Sequence, residues 1–325
     1  MFQTRSHFIP NGEGYTLALS QAWDSTNLSR ERAPVLIIPG YGMSSFIFSF
    51  HPSGLSLEQF LAQRGFEVWR ADFRGQGEST RQDGSTEYGL EHLARADVGS
   101  VVAAVLERTR TGIDRVDIVG CSLGGTVALL YRALIRDHHV GKMVAMGTPV
   151  RWVKVHPLVR AAFFSPWLIG NLPMKGTRTI ARALLPQAAR LTPGLLRIYL
   201  NPDIVDMSAA REMAQTVEDP NRHVNRQIAQ WIKDKDLVTA GVNLSTSLAQ
   251  QNEPLLVVIA NGDGIVPRET AQFVLQSSGS SIKRLLNVGT PTLQMAHADM
   301  FVSSHAHDRV FLPMAEWLTD PTVKW

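Results

Sequence analysis

Val116-Asp117-Ile118-Val119-Gly120-Cys121-Ser122-Leu123-Gly124 is the stretch on which the fold turns. Val116 to Val119 is a short apolar run of strand length, and Leu123 opens a segment whose apolar stripe (Val127, Leu130, Tyr131, Leu134) has helical spacing. Between them, residues 120–124 spell G-x-S-x-G. A serine on a tight strand-to-helix turn needs small residues two places away on either side, because a bulky side chain would press on the turn. The helix N-terminus then faces any negative charge that develops beside the serine. The pattern alone also fits a glycine-lined turn with an incidental serine, so its neighbours decide its meaning.

Upstream, residues 1–24 read as a hairpin through Asn11-Gly12-Glu13-Gly14, and Val35 to Ile38 as a strand. Leu57, Phe60 and Leu61 form a helix stripe ending at Gly65, and Glu67 to Ala71 is the next strand. Helix-spaced Val98, Val101, Val102 and Val105 precede the serine turn, and Lys142 to Met146 follows it as a strand. Strands alternating with helices in this way predict an α/β fold, a doubly wound and mostly parallel sheet covered on both faces. After Pro149 the rhythm stops. It resumes at Leu255 to Ile259, followed by a helix from about Arg268, a strand near Ile282 to Leu286, and a last helix with Val310, Met314 and Leu318 on its stripe. The predicted organisation is a core of residues 1–149 and 254–325, with 150–253 a mainly helical cap insertion lacking strands.

Composition narrows the function classes. The 325 residues are 44% hydrophobic and 19% charged, values of an ordinary packed protein. A formal charge of +3 is too small a surplus to point to nucleic acid. One cysteine, Cys121, excludes an intrachain disulfide framework and a multi-thiolate zinc site. A reducing, cytoplasmic setting fits that cysteine count, which leaves secretion open, and the N-terminus shows no basic region followed by an apolar run, so no signal peptide is legible. The longest uncharged stretch, Ala33 to Leu57, is broken by Pro34, Pro39, Gly40, Gly42, Pro52 and Gly54, so it is no membrane span. Neither a phosphate-binding loop nor a dinucleotide G-x-G-x-x-G after a strand occurs, and no cofactor or metal is expected.

A serine hydroxyl is a weak nucleophile and needs a base and a carboxylate to orient that base. Asp263 lies in the glycine-flanked loop Asn261-Gly262-Asp263-Gly264 after the strand ending at Ile259. His297 lies in Met295-Ala296-His297-Ala298-Asp299, between the last predicted strand and the last helix. The order Ser122, Asp263, His297 is that of a triad on a doubly wound sheet. Asp263 read alone is also an ordinary turn residue, and His305 and His307 are rivals of His297 that fall in or beside the final helix. Asp299 either bonds near the site or caps the next segment. Two backbone donors must face the oxyanion of an acyl-transfer intermediate. Leu123 N–H is one candidate, and Tyr41 N–H, in Pro39-Gly40-Tyr41-Gly42 after the strand Val35 to Ile38, is the other.

On these residues the chain resembles the α/β-hydrolase superfamily, as an esterase or lipase-like member, over residues 10–149 and 254–320. Asp72-Phe73-Arg74-Gly75-Gln76-Gly77-Glu78-Ser79 resembles the superfamily's D-x-R-G-x-G-x-S segment, which implies a structural turn beside the site. Pro39 stands where many members carry His, a departure that bears on the oxyanion-loop geometry. The superfamily's caps insert where residues 150–253 fall. Ser122 argues against the members that use an aspartate nucleophile, and against polyester synthases, which use cysteine. The resemblance implies hydrolysis of a carboxylic ester through an acyl-enzyme. An acyltransferase or thioesterase with the same triad, and a non-catalytic ligand-binding member, are the alternatives.

The insertion carries one more signal. Residues 151–200 hold Arg151, Lys154, Arg160, Lys175, Arg178, Arg182, Arg190 and Arg197 but no Asp or Glu, interleaved with Trp152, Phe163, Phe164, Trp167, Leu168, Ile169 and Leu172. The expectation is an apolar acyl pocket over Ser122 for an ester or lipid-like substrate, with the cations facing an anionic substrate group or an anionic membrane surface. The alternative is plain packing of the apolar residues beneath solvated charges.

Overall fold

The computed structural model describes residues 1–171, 176, 178–180, 183, 184 and 193–324. Its strands are β1 (Phe2–Pro10), β2 (Tyr15–Asp24), β3 (Val35–Ile38), β4 (Val68–Asp72), β5 (Thr80–Arg81), β6 (Val116–Cys121), β7 (Val140–Met146), β8 (Val238–Thr239), β9 (Val242–Asn243), β10 (Leu255–Ala260) and β11 (Lys283–Val288). The main sheet runs β1-β2-β4-β3-β6-β7-β10-β11, with β5 beside β2. Pairings that involve β2 are antiparallel, and those from β4 through β11 are parallel. This is the doubly wound α/β sheet the sequence predicts.

Alternation along buried strands builds two cores. Leu36, Ile38, Ile118, Val257 and Ile259 face one side with Val101, Val105 and Leu130. Val35, Ile37, Val119, Val144 and Val258 face the other with Leu57, Phe60, Leu61, Phe311 and Trp317. Parallel strands covered on both faces have no solvent side, which is why they read as continuous apolar runs. Helix α1 (Leu57–Gln63) starts at a capping box in which Ser56 Oγ accepts from Gln59 N–H. Helices α2 (Gly99–Arg108) and α3 (Leu123–Leu134) flank β6, α3 beginning directly after Ser122.

The 72–79 segment is a structural turn. Asp72 accepts from the N–H groups of Ser45 (2.6 Å) and Glu78 (3.3 Å), and Arg74 is buried against Asp97 (2.6 Å) and Glu13 (2.7 Å). Residues 150–253 lie between β7 and β10. They carry α4 (Pro157–Ala162), α5 (Pro166–Asn171) and α6 (Arg222–Asp234), together with shorter turns. The expectation of no strand there is corrected by β8 and β9, a two-residue hairpin turning at Ala240 (φ 49°) and Gly241 (φ 78°). Strands this short show no periodicity, and an Ala-Gly turn lacks the usual Asn-Gly signal. Among the described residues no helix is long and apolar enough to cross a membrane.

Candidate active site

The strand order places the carboxyl ends of β3, β6, β7 and β10 side by side. In such sheets that edge is where ligands bind. Ser122 follows β6 with φ 51° and ψ −121°, a strained conformation that lifts the side chain out of the turn. Its N–H donates to Met146 O at the end of β7 (2.8 Å), and its own carbonyl accepts from Gly125 and Thr126 as the helix begins. The motif glycines are required by contact: a Cβ on Gly120 would stand 2.4 Å from Gly125 Cα and one on Gly124 2.4 Å from Pro39 O, while one on Gly40 would crowd Ser122 Cβ at 3.1 Å. The elbow and the 39–42 loop therefore fit only backbone against backbone.

Asp263 and His297 come from loops after β10 and β11. Asp263 Oδ2 meets His297 Nδ1 at 2.6 Å, while Oδ1 accepts from the N–H groups of Ile265 (2.9 Å) and Val266 (2.8 Å). Because a carboxylate oxygen only accepts, Nδ1 carries the proton and Nε2 holds the free lone pair, the form a general base needs. Asn261 ties the two loops together, its Nδ2 donating to Thr290 O and Leu293 O and its Oδ1 accepting from Met295 N–H. Gly147, at the end of β7, has φ 52°, and a Cβ there would stand 2.8 Å from His297 Cε1. Ser122 N–H on Met146 and His297 over Gly147 thus place serine and imidazole on consecutive residues of one strand end. No hydrogen bond joins Ser122 to His297 among the described residues. Such bonds often tighten only once substrate is bound.

The other expected residues are placed as follows. Leu123 opens α3, so its N–H is a first-turn donor without an intrahelical acceptor. Tyr41 N–H meets no backbone acceptor among the described residues. The Tyr41 hydroxyl donates to Asn225 Oδ1 on α6 (2.7 Å), and the Phe163 ring stands edge-on to Tyr41 at 5.9 Å. His307 is excluded as the base: its Nε2 bonds Leu55 O (2.8 Å) and its ring packs against His51. His305 serves the turn before the last helix, where its carbonyl accepts from Arg309. Asp299 accepts from Ala296 (2.6 Å) and Asn201 (3.0 Å), tying the histidine loop to the insertion. Burial pushes its carboxyl up to about 6, and burial likewise pushes the Cys121 thiol up to about 12, so Cys121 is no rival nucleophile. Among the described residues no cluster of His, Cys, Asp and Glu could hold a metal.

The insertion's aromatic residues divide. Trp152 is buried against Trp231 (5.6 Å) and Phe163 reaches Tyr41, but Phe164 and Trp167 are each 66% exposed and Leu168 faces outward. Only Phe163, among the described side chains expected to line a pocket, approaches the site. Arg151, Lys154, Arg178 and Arg197 pair with Asp236, Glu269, Glu218 and Asp203. Four of the five described cations of the run are therefore paired with acids from elsewhere in the chain. Leu172, Lys175, Arg182 and Arg190, and the Ile169 side chain, lie outside the described residues. Two residues that sequence reasoning missed stand at the site. Asn225 had a signal, a polar residue inside the apolar stripe of α6; Tyr199, whose ring lies 6.1 Å from that of His297, had none.

Solved structures share the architecture. A soluble variant of monoglyceride lipase from Saccharomyces cerevisiae superposes with a TM-score of 0.65 at 16% identity, covering 99% of this chain and 96% of that one. An esterase from Exiguobacterium antarcticum gives 0.61 at 16% identity, covering 97% and 100%. Among curated proteins, a poly(3-hydroxyalkanoate) polymerase subunit from Haloferax mediterranei is 21% identical over an alignment of 321 positions that covers 92% of this chain. The chain spans 61% of that relative's length. Residues 33–284 match the family model of the alpha/beta hydrolase fold, so with most of its length inside that model the chain belongs to the α/β-hydrolase family.

Proposed function

We propose that the protein is a serine hydrolase that cleaves a carboxylic ester, with an apolar acyl group, through an acyl-enzyme. The observation that carries this reading is the 2.6 Å pairing of Asp263 with His297 Nδ1 beside a serine held on a strained elbow. In this scheme Ser122 Oγ attacks the acyl carbon as His297 Nε2 takes its proton. Tyr41 and Leu123 N–H receive the oxyanion, and the imidazolium returns the proton to the departing alcohol. Water, deprotonated by the same imidazole, then releases the acid and frees the serine. Asp263 holds the tautomer and stabilises the imidazolium without itself being protonated. Phe163 beside Tyr41 and Met43 beside Gly40 support an apolar acyl group.

Acyl transfer is the second reading, favoured by the similarity to a polymerase subunit. Serine rather than cysteine at position 122 argues against that chemistry in the form the polyester synthases use. A panel of chromogenic esters, thioesters and lactones, with and without alcohol acceptors, tests both. Hydrolysis is expected to fall roughly 10⁶-fold in Ser122→Ala and about 10⁴-fold in Asp263→Asn. Phosphonate labelling that persists in Ser122→Ala would reject the serine, and products made only with an acceptor present would replace hydrolysis by transfer.

A further inference from the structure

Tyr199 is the residue of the insertion that lies against the reacting groups themselves. Its ring is tilted 34° to that of His297, at 6.1 Å between centroids, and its carbonyl accepts from Ala298 N–H (2.7 Å), fixing it to the histidine loop. Its hydroxyl reaches across to the oxyanion loop, where the contact made is with Met43 Sδ at 3.9 Å. That sulfur is 3.5 Å from where a Cβ on Gly40 would stand, and the same point is 3.1 Å from Ser122 Cβ. The side chain therefore spans from His297 to Met43 at the end of the loop that holds Tyr41, and Met43 in turn lies beside Gly40, which adjoins Ser122. Tyr199 is partly buried, and a thioether is a weak acceptor, so within the protein its hydroxyl has only a weak partner. The O–H is thus a donor free to turn to a stronger acceptor.

We infer that Tyr199 is a third oxyanion donor, giving its phenolic O–H to the carbonyl oxygen of the bound ester as that oxygen gains charge. This rests on the serine-hydrolase reading and adds to it a group supplied by the insertion rather than by the sheet. No new covalent step is involved: the O–H stays on the tyrosine, and only its acceptor changes, from Met43 sulfur to substrate oxygen. Burial holds the hydroxyl well above the ordinary tyrosine range, with Cys121, Asp299 and Asp263 adding to the shift, so it stays protonated and able to donate.

The test compares Tyr199→Phe, which keeps the ring on His297, with Tyr199→Leu, which removes both ring and hydroxyl. In Tyr199→Phe, kcat for a p-nitrophenyl ester is expected to fall roughly 10- to 100-fold, toward the lower end of the loss seen for one oxyanion donor, with KM nearly unchanged. Affinity for an alkyl trifluoromethyl ketone, whose serine adduct carries an oxyanion, should fall by a similar factor. Unchanged kcat and ketone affinity in Tyr199→Phe, with loss only in Tyr199→Leu, would reduce Tyr199 to a packing residue and overturn the inference. Phosphonate labelling separates the two readings: Ser122 still labels in Tyr199→Phe if only the inference fails, whereas labelling elsewhere in the wild type overturns both.

Discussion

The sheet edge and the insertion hold their parts of the site in different ways. On the sheet, Asp263 is fixed by two backbone N–H groups and the imidazole, and Ser122 by Met146, by the first turn of α3 and by glycines that admit no side chain. On the insertion, Asn225 meets Tyr41 through one hydrogen bond, Phe163 meets it through one ring edge, and Tyr199 leans on His297. Several contacts on a short backbone leave one geometry, whereas one contact on a long side chain sets a bias. Substitution at the sheet edge should therefore abolish chemistry, and substitution in the insertion should grade it.

Outside the triad itself, the largest break is expected from Gly147→Ala. Its backbone has a positive φ, and the new methyl would meet His297 Cε1 at 2.8 Å, so the imidazole must move. A displacement of about 1 Å can cost roughly 100-fold in rate. kcat/KM together with the melting temperature checks this, and full activity would show the sheet side to be less constrained than its contacts indicate. Asn225→Leu comes next. It removes the partner of the Tyr41 hydroxyl from a fully buried site whose Asn225 Nδ2 has no acceptor. A kcat loss of about 10-fold is expected, in line with the cost of one buried hydrogen bond. Because Tyr41→Phe breaks the same link, the double variant should lose little more than either single one. Additive losses would mean that the insertion does not act through Tyr41.

Asp299→Asn probes the seam between the regions and should change pH dependence more than rate. The Asp299 carboxyl sits at about 6 in the folded protein against 3.8 in a free chain, raised first by desolvation. Between those values the unfolded chain releases its proton while the folded one keeps it, so wild-type stability falls as pH rises through this window. The variant cannot ionise there. Its stability relative to wild type should rise from about pH 4 to about pH 6.5 in urea titrations, and parallel curves would rule out a buried ionising Asp299. The smallest effect is expected from Phe164→Ser with Trp167→Ser. These side chains face outward, so hydrolysis of a soluble ester should stay within about twofold, the range expected for surface changes. Vesicles test whether the same face meets lipid. Weaker binding of the double variant to anionic vesicles at low salt would support a membrane-facing role, and equal binding to neutral and anionic vesicles would reject it.

The sheet, the elbow and the order of the candidate triad were all legible in the chain before it was folded. Those features are local: apolar runs of strand length at Val35, Val116 and Leu255, glycines spaced around Ser122, and turn residues placed directly after strands. Periodicity records which face of an element is buried, and a βα turn keeps its chemistry within five residues. The insertion's contribution came to light only with the packed molecule. Nothing in residues 157–168 distinguishes Phe163, turned toward Tyr41, from Phe164, turned outward, because adjacent positions in short helical turns diverge by packing rather than composition. The basic run read as a patch until Asp203, Glu218, Asp236 and Glu269 proved to lie against it. Tyr199 and His297 are 98 residues apart in the chain, and no local pattern encodes a contact made only when two loops close over one sheet edge.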